Sequence, residues 1–317
     1  MNNSTGMIGI TLAGLLASMM LYVVIGFFVT KIGLLKPKDS KPLSSLSVWV
    51  LQPAIIFNSF QLQLTSERVH GFLAVMIYAF VVMIFWIILC LVIRKPLHLT
   101  SVEEATLIYT NCGNLIFPLV SMMMDSEYVF FGSGTLIAFH LFLWTHGIST
   151  VREEKSIEVR KLLKNSNVIA VLVGLVFLVF QIPVPEIIGT TISGLAQMVG
   201  PVSMLIIGMT LADADLKRLF TMKRAWLVSL GRLVIFPLLM IGLLYCSGFL
   251  RRHPEFAMIL LIPTMSLAAP PASTVAQLAI LYDKHPVEAS SYNMLGTLLC
   301  IITLPLIIQL YQIMFGI

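Results

Sequence analysis

The chain has 317 residues, of which 58% are hydrophobic and only 11% are charged. So few charged side chains cannot cover a soluble globule of this size, and the composition therefore indicates an integral membrane protein. The net charge of +5 would favour nucleic-acid binding in a soluble protein. Here it is explained by loop residues that set membrane orientation, so no nucleic-acid partner is expected.

The chain begins with an apolar run that follows Met1 to Gly6 and reaches about Val29. This run is longer than the core of a signal peptide and no Lys or Arg precedes it, so we expect a membrane span. Hydropathy and loop chemistry predict further spans along the whole chain. The ten predicted spans are residues 8–30, 43–62, 71–93, 102–124, 129–149, 167–183, 187–212, 224–250, 256–281 and 288–315.

Lys and Arg test this count, because they collect in the loops on the inner side of a membrane. If the N-terminus is outside, nearly all of them fall in predicted inner loops, and the outer side holds only Arg68, Arg251 and Arg252. The bias favours ten spans with both termini outside. The expected location is a cell membrane, the inner membrane in a bacterium.

The fourth predicted span contains a polar interruption, Asn111-Cys112-Gly113-Asn114-Leu115-Ile116-Phe117-Pro118. These residues would sit near the middle of a bilayer core about 30 Å thick, where hydrocarbon offers no hydrogen-bond partners. Two amides, a glycine and a proline are tolerated there only if they are buried in protein or line a watery cavity. The pattern predicts a broken helix that starts at a capping box over Ser101 to Glu104.

A second interruption runs from Pro263 to Thr274 in the ninth span. Three pairs of residues are separated by the same number of positions, namely Glu103 and Glu255, Asn111 and Pro263, and Pro118 and Pro270. Breaks at matching positions of two halves are typical of transporters that have internal repeats and a substrate site between them.

The predicted fold is therefore an all-α integral membrane protein of ten transmembrane helices. They would form two inverted five-helix repeats, with crossed broken helices in the fourth and ninth spans. The first repeat would cover residues 1–150, a cytoplasmic linker residues 151–166 and the second, inverted repeat residues 167–317.

Two groups of residues carry a family pattern. In the fourth span an Asn is followed seven residues later by Pro with a Gly between them, here Asn111, Gly113 and Pro118. The second group is Pro270-Pro271-Ala272, Ala279, Tyr282-Asp283, Ala289-Ser290, and Thr297-Leu298 through Thr303-Leu304-Pro305. On these residues the chain resembles the auxin efflux carriers and their bacterial relatives, which transport organic acids. Since it has no long central hydrophilic loop, it resembles the bacterial branch.

The chain departs from that family pattern at Ile116, where Gly is usual, and at Ser273-Thr274, where an Asn is common. We therefore expect a substrate whose shape differs from that of the substrates of the family's better-known members. The resemblance implies elevator-like alternating access in the lipid bilayer. The first, second, sixth and seventh spans would form a scaffold and the surface of a homodimer, and the other six spans a mobile transport unit.

The two breaks are expected to leave half-helix N-termini near the midplane, one near Pro118 and one near Pro271. Free N–H groups and partial positive charge at such ends bind carboxylates. If the first half-helix continues through the motif, Asn111 and Asn114 share a face and present two amides to one ligand. The predicted substrate is a small organic anion, a mono- or dicarboxylate such as malonate or malate. The predicted substrate-binding residues are Asn111, Gly113, Asn114, Pro118, Pro270, Pro271, Ser273, Thr274 and Gln52.

Several polar residues also have a purely structural interpretation. The amides and prolines of one span can satisfy the backbone around a kink, and Gln52 can bond a neighbouring helix. Arg232 is expected to extend to the membrane surface, with substrate contact as the alternative. His140 could titrate near neutral pH, but a core histidine with satisfied nitrogens is the expected interpretation.

Other classes of function have less support. A membrane-embedded enzyme would need a His-Glu metal motif, an Asp dyad or a Ser-His nucleophile, and the sequence has none at suitable spacing, so no enzyme, cofactor or metal site is expected. The four cysteines lie in apolar runs as small core residues. Neither break holds Asp or Glu, which disfavours a cation antiporter and leaves coupling to Na⁺ or H⁺ open. A receptor or sensor for a small organic acid, without transport, is the remaining alternative.

Overall fold

The computed structural model describes residues 2–63, 66–117, 119–120, 124, 126–154, 164–212 and 221–317. Throughout these ranges the regular structure is helical, apart from one isolated β-bridge between Thr110 and Pro271. The α-helices are α1 (Asn2–Lys31), α2 (Ser40–Leu46), α3 (Gln52–Ser59), α4 (Ser66–Arg94), α5 (Ser101–Ile108), α6 (Ser126–Phe142), α7 (Ile148–Arg152), α8 (Ser166–Phe180), α9 (Glu186–Leu211), α10 (Lys223–Leu230), α11 (Phe236–Ser247), α12 (Phe249–Arg252), α13 (Ala257–Leu267), α14 (Ser273–Leu281) and α15 (Pro286–Phe315).

Short π-helical turns connect several of these helices. They lie at Ser47–Leu51, Cys112–Ile116, Leu143–Gly147 and Gly231–Ile235. A π-helical turn shifts the side chains that follow it around the helix axis, and such turns occur frequently at functional sites. The turn at Ser47–Leu51 comes directly before Gln52, and the turn at Cys112–Ile116 contains Gly113 and Asn114. These three residues line a cavity that is described below.

The described residues contain six helical stretches that are long and apolar enough to cross a membrane. These stretches are Gly14–Lys31, Val69–Arg94, Glu127–Arg152, Glu186–Leu211, Lys223–Ser247 and Pro286–Phe315. Shorter apolar helices lie at Ser166–Phe180 and Pro254–Leu267. The prediction of an all-helical, multi-pass membrane protein is confirmed. The remaining predicted spans consist of shorter helical pieces, so the ten-span inverted repeat stays a prediction.

The outer surface of the long helices is apolar. On α4, for example, Ile77, Val81, Ile84 and Ile88 are exposed, whereas Trp86 is fully buried. A soluble protein would place polar side chains on the exposed face of such a helix. Apolar residues on both faces suit a helix with protein on one side and lipid on the other.

Two groups of helices pack closely among themselves, and α15 packs against members of the first group, α1 and α9, as well as against α10 and α14. In one group α1 runs along α9, and α3 packs against α8 and α9. Gly26 of α1 and Gly208 of α9 allow direct backbone contact, because a Cβ at these positions would lie 2.2 Å from the Leu205 oxygen and 2.0 Å from the Val23 oxygen. In the other group α4 runs along α6, and α13 packs against both.

The start of α5 is fixed by a capping box and by buried charge. Thr100 is the N-cap, one residue earlier than predicted, and its hydroxyl accepts a hydrogen bond from the Glu103 amide at 3.2 Å. The Glu103 carboxylate accepts from Arg224 of α10 at 2.6 and 2.9 Å and from the Tyr292 hydroxyl of α15 at 3.1 Å. Glu103 therefore ties α5 to two other helices.

Candidate functional site

The first interruption lies at the end of α5. Helical structure stops at Ile108, and Tyr109 is extended, with φ −97° and ψ 135°. Helical structure resumes with the π-turn at Cys112–Ile116, for which Asn111 is the N-cap. The expectation that the first half-helix continues through Asn111 and that the second begins near Pro118 is therefore wrong. Pro118 itself lies outside the described residues.

The second interruption is shorter than predicted. Pro263 lies inside α13, which continues to Leu267. The non-helical stretch is Ala268 to Ala272, and it contains both Pro270 and Pro271. Helix α14 then begins at Ser273 without a side-chain cap.

The two interruptions cross each other and share hydrogen bonds. The Asn111 amide donates to the Pro270 carbonyl at 2.8 Å, and the Ala272 amide donates to the Tyr109 carbonyl at 3.0 Å. These bonds flank the bridge between Thr110 and Pro271. Backbone groups freed by a helix break must be satisfied inside an apolar interior, and here each interruption satisfies the other.

Helix α15 holds the second interruption in place. The Asn293 side-chain amide donates to the Pro271 carbonyl at 2.7 Å. Gly296 lies one turn further along, and a Cβ there would come within 2.5 Å of the Pro271 Cδ. The proline ring thus occupies the space that a side chain at position 296 would need.

Two adjacent cavities lie beside the crossing. The smaller has a volume of about 40 Å³, and its polar lining comes from Gln52, Thr110, Asn111, Asn114, His140 and Thr274. The larger has a volume of about 650 Å³ and is lined mainly by apolar side chains of α1, α3, α6 and α9. Gly113 and Asn114 line both cavities. We call the smaller one the crossing cavity.

The side-chain amides of Asn111 and Asn114 line the crossing cavity, and one of their two nitrogens has no hydrogen-bond partner among the described residues. Asn114 Nδ2 donates to Asn111 Oδ1 at 2.9 Å, so the two side chains interact, although not as neighbours on one continuous α-helix. Within the described part of the chain, Asn111 Nδ2 is buried without a hydrogen-bond partner. Unpaired polar atoms are costly in an apolar interior unless a ligand or water completes them.

The predicted residues of the second interruption contribute less. Thr274 lines the crossing cavity and accepts a hydrogen bond from Gln52 Nε2 at 2.9 Å, so Gln52 both lines the cavity and bonds a neighbouring helix. Pro270 and Pro271 contribute backbone carbonyls to the crossing, and neither lines the two described cavities. Ser273 is buried outside both linings.

Another hydrogen-bonded side chain on α14 was missed by the sequence analysis. Gln277 is fully buried, and its Nε2 donates to Ser47 Oγ at 2.9 Å and to Ser203 Oγ at 2.8 Å. Together with Gln52 and Thr274, these contacts join α14 to α9 and to the segment that contains α2 and α3. Gln277 was missed because a single Gln in an apolar helix does not indicate which side chains it will bond.

Arg232 does not reach the membrane surface, contrary to expectation. Its side chain is fully buried, and Nη1 donates to the Leu107 carbonyl at 3.3 Å, in the last turn of α5. A cation at the C-terminal end of a helix interacts favourably with the helix dipole. Arg232 therefore places a fixed positive charge behind the first interruption.

His140 differs from its expected role as a satisfied core residue. The side chain is 9% exposed and lines the crossing cavity. Neither ring nitrogen has a hydrogen-bond partner among the described residues. The sequence shows only a histidine in mid-span, and its place in the same cavity lining as Asn111 becomes visible only in the folded structure.

Comparison with known proteins identifies the family of this chain. A family model described as membrane transport protein matches residues 12–154 and 150–308. This places the chain among membrane transporters, and the chain belongs to the auxin efflux carrier family. The resemblance seen in the sequence is thereby confirmed.

One curated relative is an uncharacterized transporter of Methanothermobacter thermautotrophicus. It is 27% identical over an alignment of 301 residues, and the match covers 91% of this chain and 95% of that protein. The similarity thus extends over almost the full length of both chains. It supports membrane transport as the general activity.

Proposed function

We propose that this protein is a secondary transporter for a small organic anion, a mono- or dicarboxylate such as malonate or malate. The observation that carries the proposal is the set of polar groups at the crossing. Asn111, Asn114, Thr110 and Thr274 converge on one small cavity that opens beside a larger, mostly apolar one.

The two cavities suit two parts of such a substrate. The crossing cavity, at about 40 Å³, has room for a few atoms and offers the unpartnered Asn111 Nδ2 as a donor. A carboxylate accepts such donors strongly. The uncapped N-terminus of the nine-residue helix α14 adds partial positive charge on the same side. The larger cavity would take the rest of the molecule.

Alternating access would follow the division between the two helix groups. We propose ten spans in two inverted repeats, with α1, α2–α3, α8 and α9 as a scaffold and homodimer surface. The remaining helices would move as an elevator past this scaffold. The hydrogen bonds from Gln52 to Thr274 and from Gln277 to Ser47 and Ser203 cross the proposed boundary. A small number of bonds of this kind can be exchanged during movement.

Orientation and location complete the proposal. The distribution of Lys and Arg supports both termini outside, in a cell membrane.

The first test is ligand binding to the purified protein, measured by thermal stabilisation against malonate, malate, oxalate, succinate, lactate and indole acetate. Selective stabilisation by one of these acids is expected, because a ligand that binds only the folded state raises the melting temperature. Uptake of the same six acids into proteoliposomes then tests transport. Binding without saturable uptake would identify a receptor. The absence of both binding and uptake would exclude an organic anion as the substrate.

A further inference from the structure

We propose that His140 carries a proton together with the organic anion, so that transport is proton-coupled symport. This inference rests on the proposed function and assigns its coupling ion. His140 is a neutral base with two unpartnered ring nitrogens, and it faces the cavity that holds the unpartnered amide of Asn111.

The need for a proton follows from the charge of the cavity walls. In the described part of the chain, no Asp, Glu, Lys or Arg lines either cavity. Bringing an anion into an apolar interior is costly unless a positive charge accompanies it. His140 is the basic side chain in these linings, and an anion bound next to it favours the protonated form of its ring.

The groups around His140 make its protonation depend on the anion. The other titratable side chains lining the crossing cavity are Tyr109 and Cys112. The Tyr109 hydroxyl is already engaged by the Phe142 carbonyl at 3.0 Å and by His146 at 2.9 Å. The described lining residues from α3, α9 and α14 include none that titrates, and α4 and α13 contribute no described lining residue.

Two buried charged side chains, Arg232 and Glu104, lie behind the first interruption. Neither lines a described cavity, but Arg232 donates to Leu107 and acts electrostatically on Cys112, and Glu104 acts on Tyr109. When the cavity holds no anion, the buried and largely apolar surroundings of His140 disfavour a charged ring. A bound carboxylate reverses that balance, because it attracts the imidazolium. The proton and the anion would therefore bind together and leave together.

The proton balance of the step is simple. On one side of the membrane a proton bonds to the lone pair of one ring nitrogen, which gives an imidazolium, while the carboxylate binds next to it. After the transport unit has moved, the same nitrogen releases the proton and the carboxylate leaves unchanged. The imidazolium and a bound monoanion together carry no net charge. The loaded transport unit would therefore cross with the same charge as the empty one.

The test uses the full-length protein in proteoliposomes that contain a pH-sensitive dye. The six carboxylates named above are added outside, and anion uptake and internal acidification are recorded with and without an inside-alkaline gradient of one pH unit. In the wild-type protein, one coupled proton lets such a gradient accumulate a monoanion up to about tenfold. Protein-free liposomes correct for passive entry of the protonated acids.

The informative variant is His140→Gln, which keeps a hydrogen-bond donor but cannot carry a proton. We expect it to bind and exchange the anion more weakly than the wild type, and gradient-driven accumulation of the anion should fall to about onefold. His146→Gln is the matched control, because His146 is a partly buried histidine near the same end of α6 that lines neither cavity. It should accumulate anion as the wild type does.

Calorimetry of anion binding gives an independent measurement, which also covers the case in which His140→Gln loses flux. Titrations in buffers of different ionisation enthalpy count the protons taken up per anion, with about one expected for the wild type and none for His140→Gln. Wild-type uptake without proton movement, or coupling that survives in His140→Gln, would overturn the role of His140 and leave anion transport standing. If none of the six acids binds or crosses, the organic-anion function fails and this inference fails with it.

Discussion

The two interrupted segments occupy matching positions in the sequence but contribute differently to the site. The first supplies Asn111, Gly113 and Asn114 to the walls of the crossing cavity. The second places Pro271 against α15, where its carbonyl accepts from Asn293 and its ring packs on Gly296. Polar groups that face the cavity therefore come mainly from the first segment, and the second segment fixes where they stand.

This difference shows that repeated sequence position does not imply repeated chemistry. Both segments need their backbone groups satisfied, and the shared hydrogen bonds of the crossing achieve that for both. The first segment has side-chain amides that line the cavity, and the second segment, Ala268 to Ala272, has none. A proline-rich segment is rigid and has fewer donors, which suits a support.

The largest expected effect comes from removing the amides of the first segment. Asn111→Ala and Asn114→Ala should each weaken anion binding by about 10- to 100-fold, because hydrogen bonds to charged groups are worth about 1.5–3 kcal/mol. Binding to the purified variants and uptake in proteoliposomes measure this loss.

Ser273→Ala is the matched control in the second segment, because Ser273 is buried next to the crossing but lies outside both cavity linings. It should bind and transport close to the wild-type level. If Ser273→Ala lost as much affinity as Asn111→Ala, the two segments would share the substrate equally and the proposed asymmetry would be wrong.

The sequence predicts the existence of both interruptions, and the reason is physical. Asn, Gly and Pro in a long apolar run are expensive unless the helix breaks there, so their presence is a strong signal. The exact residues at which each helix stops are a different matter. Helix α5 ends at Ile108, before any of these residues, because the crossing partner at Pro270 and Ala272 takes over the hydrogen bonds of Tyr109 and Asn111.

The charged residues of the membrane interior show a second limit of sequence reasoning. Arg232 is close enough in sequence to a predicted inner loop to suggest a side chain that extends to the surface. In the structure its partner is the Leu107 carbonyl, a group that exists as a free acceptor only because α5 ends there. Since the end of α5 could not be placed from the sequence, the partner of Arg232 could not be placed either.

An intermediate effect is expected from filling the space that the Pro271 ring occupies. In Gly296→Ala the new Cβ would lie 2.5 Å from the Pro271 Cδ, so the second segment must shift. Overpacking of this kind costs about 1–3 kcal/mol, and the melting temperature should fall. A thiol-reactive dye can report the melting temperature, because Cys90, Cys112 and Cys300 are buried in the folded protein and react only once it unfolds.

Gly242→Ala serves as the control for this substitution, because a Cβ at Gly242 in α11 meets nothing within 4 Å. It should melt at the wild-type temperature or slightly above, since alanine favours a helix more than glycine does. Equal melting of the Gly242 and Gly296 variants would show that the second segment is not a rigid support.

The smallest expected effect lies at the ends of α5 and α14 that are far from the crossing, where Glu153 connects the two helices. Its carboxylate accepts a hydrogen bond from Lys284, just beyond α14, and one from Ser101 at the start of α5. These partners, Lys284 foremost, lower the pKa of Glu153 below its ordinary value of 4.5. A lowered carboxyl pKa stabilises the folded protein above that ordinary value, and the contribution is lost as the pH falls through the lower value in the folded state.

The melting temperature of Glu153→Gln should therefore lie slightly below that of the wild type at neutral pH, and the difference should shrink as the pH falls below 4.5. The effect is small because the side chain is 46% exposed, and salt should reduce it further. Glu154→Gln is the control, since Glu154 pairs with Arg152 and not with either interrupted segment. A pH-independent difference would mean that the link between the two segments at this end depends on packing and not on the charge of Glu153.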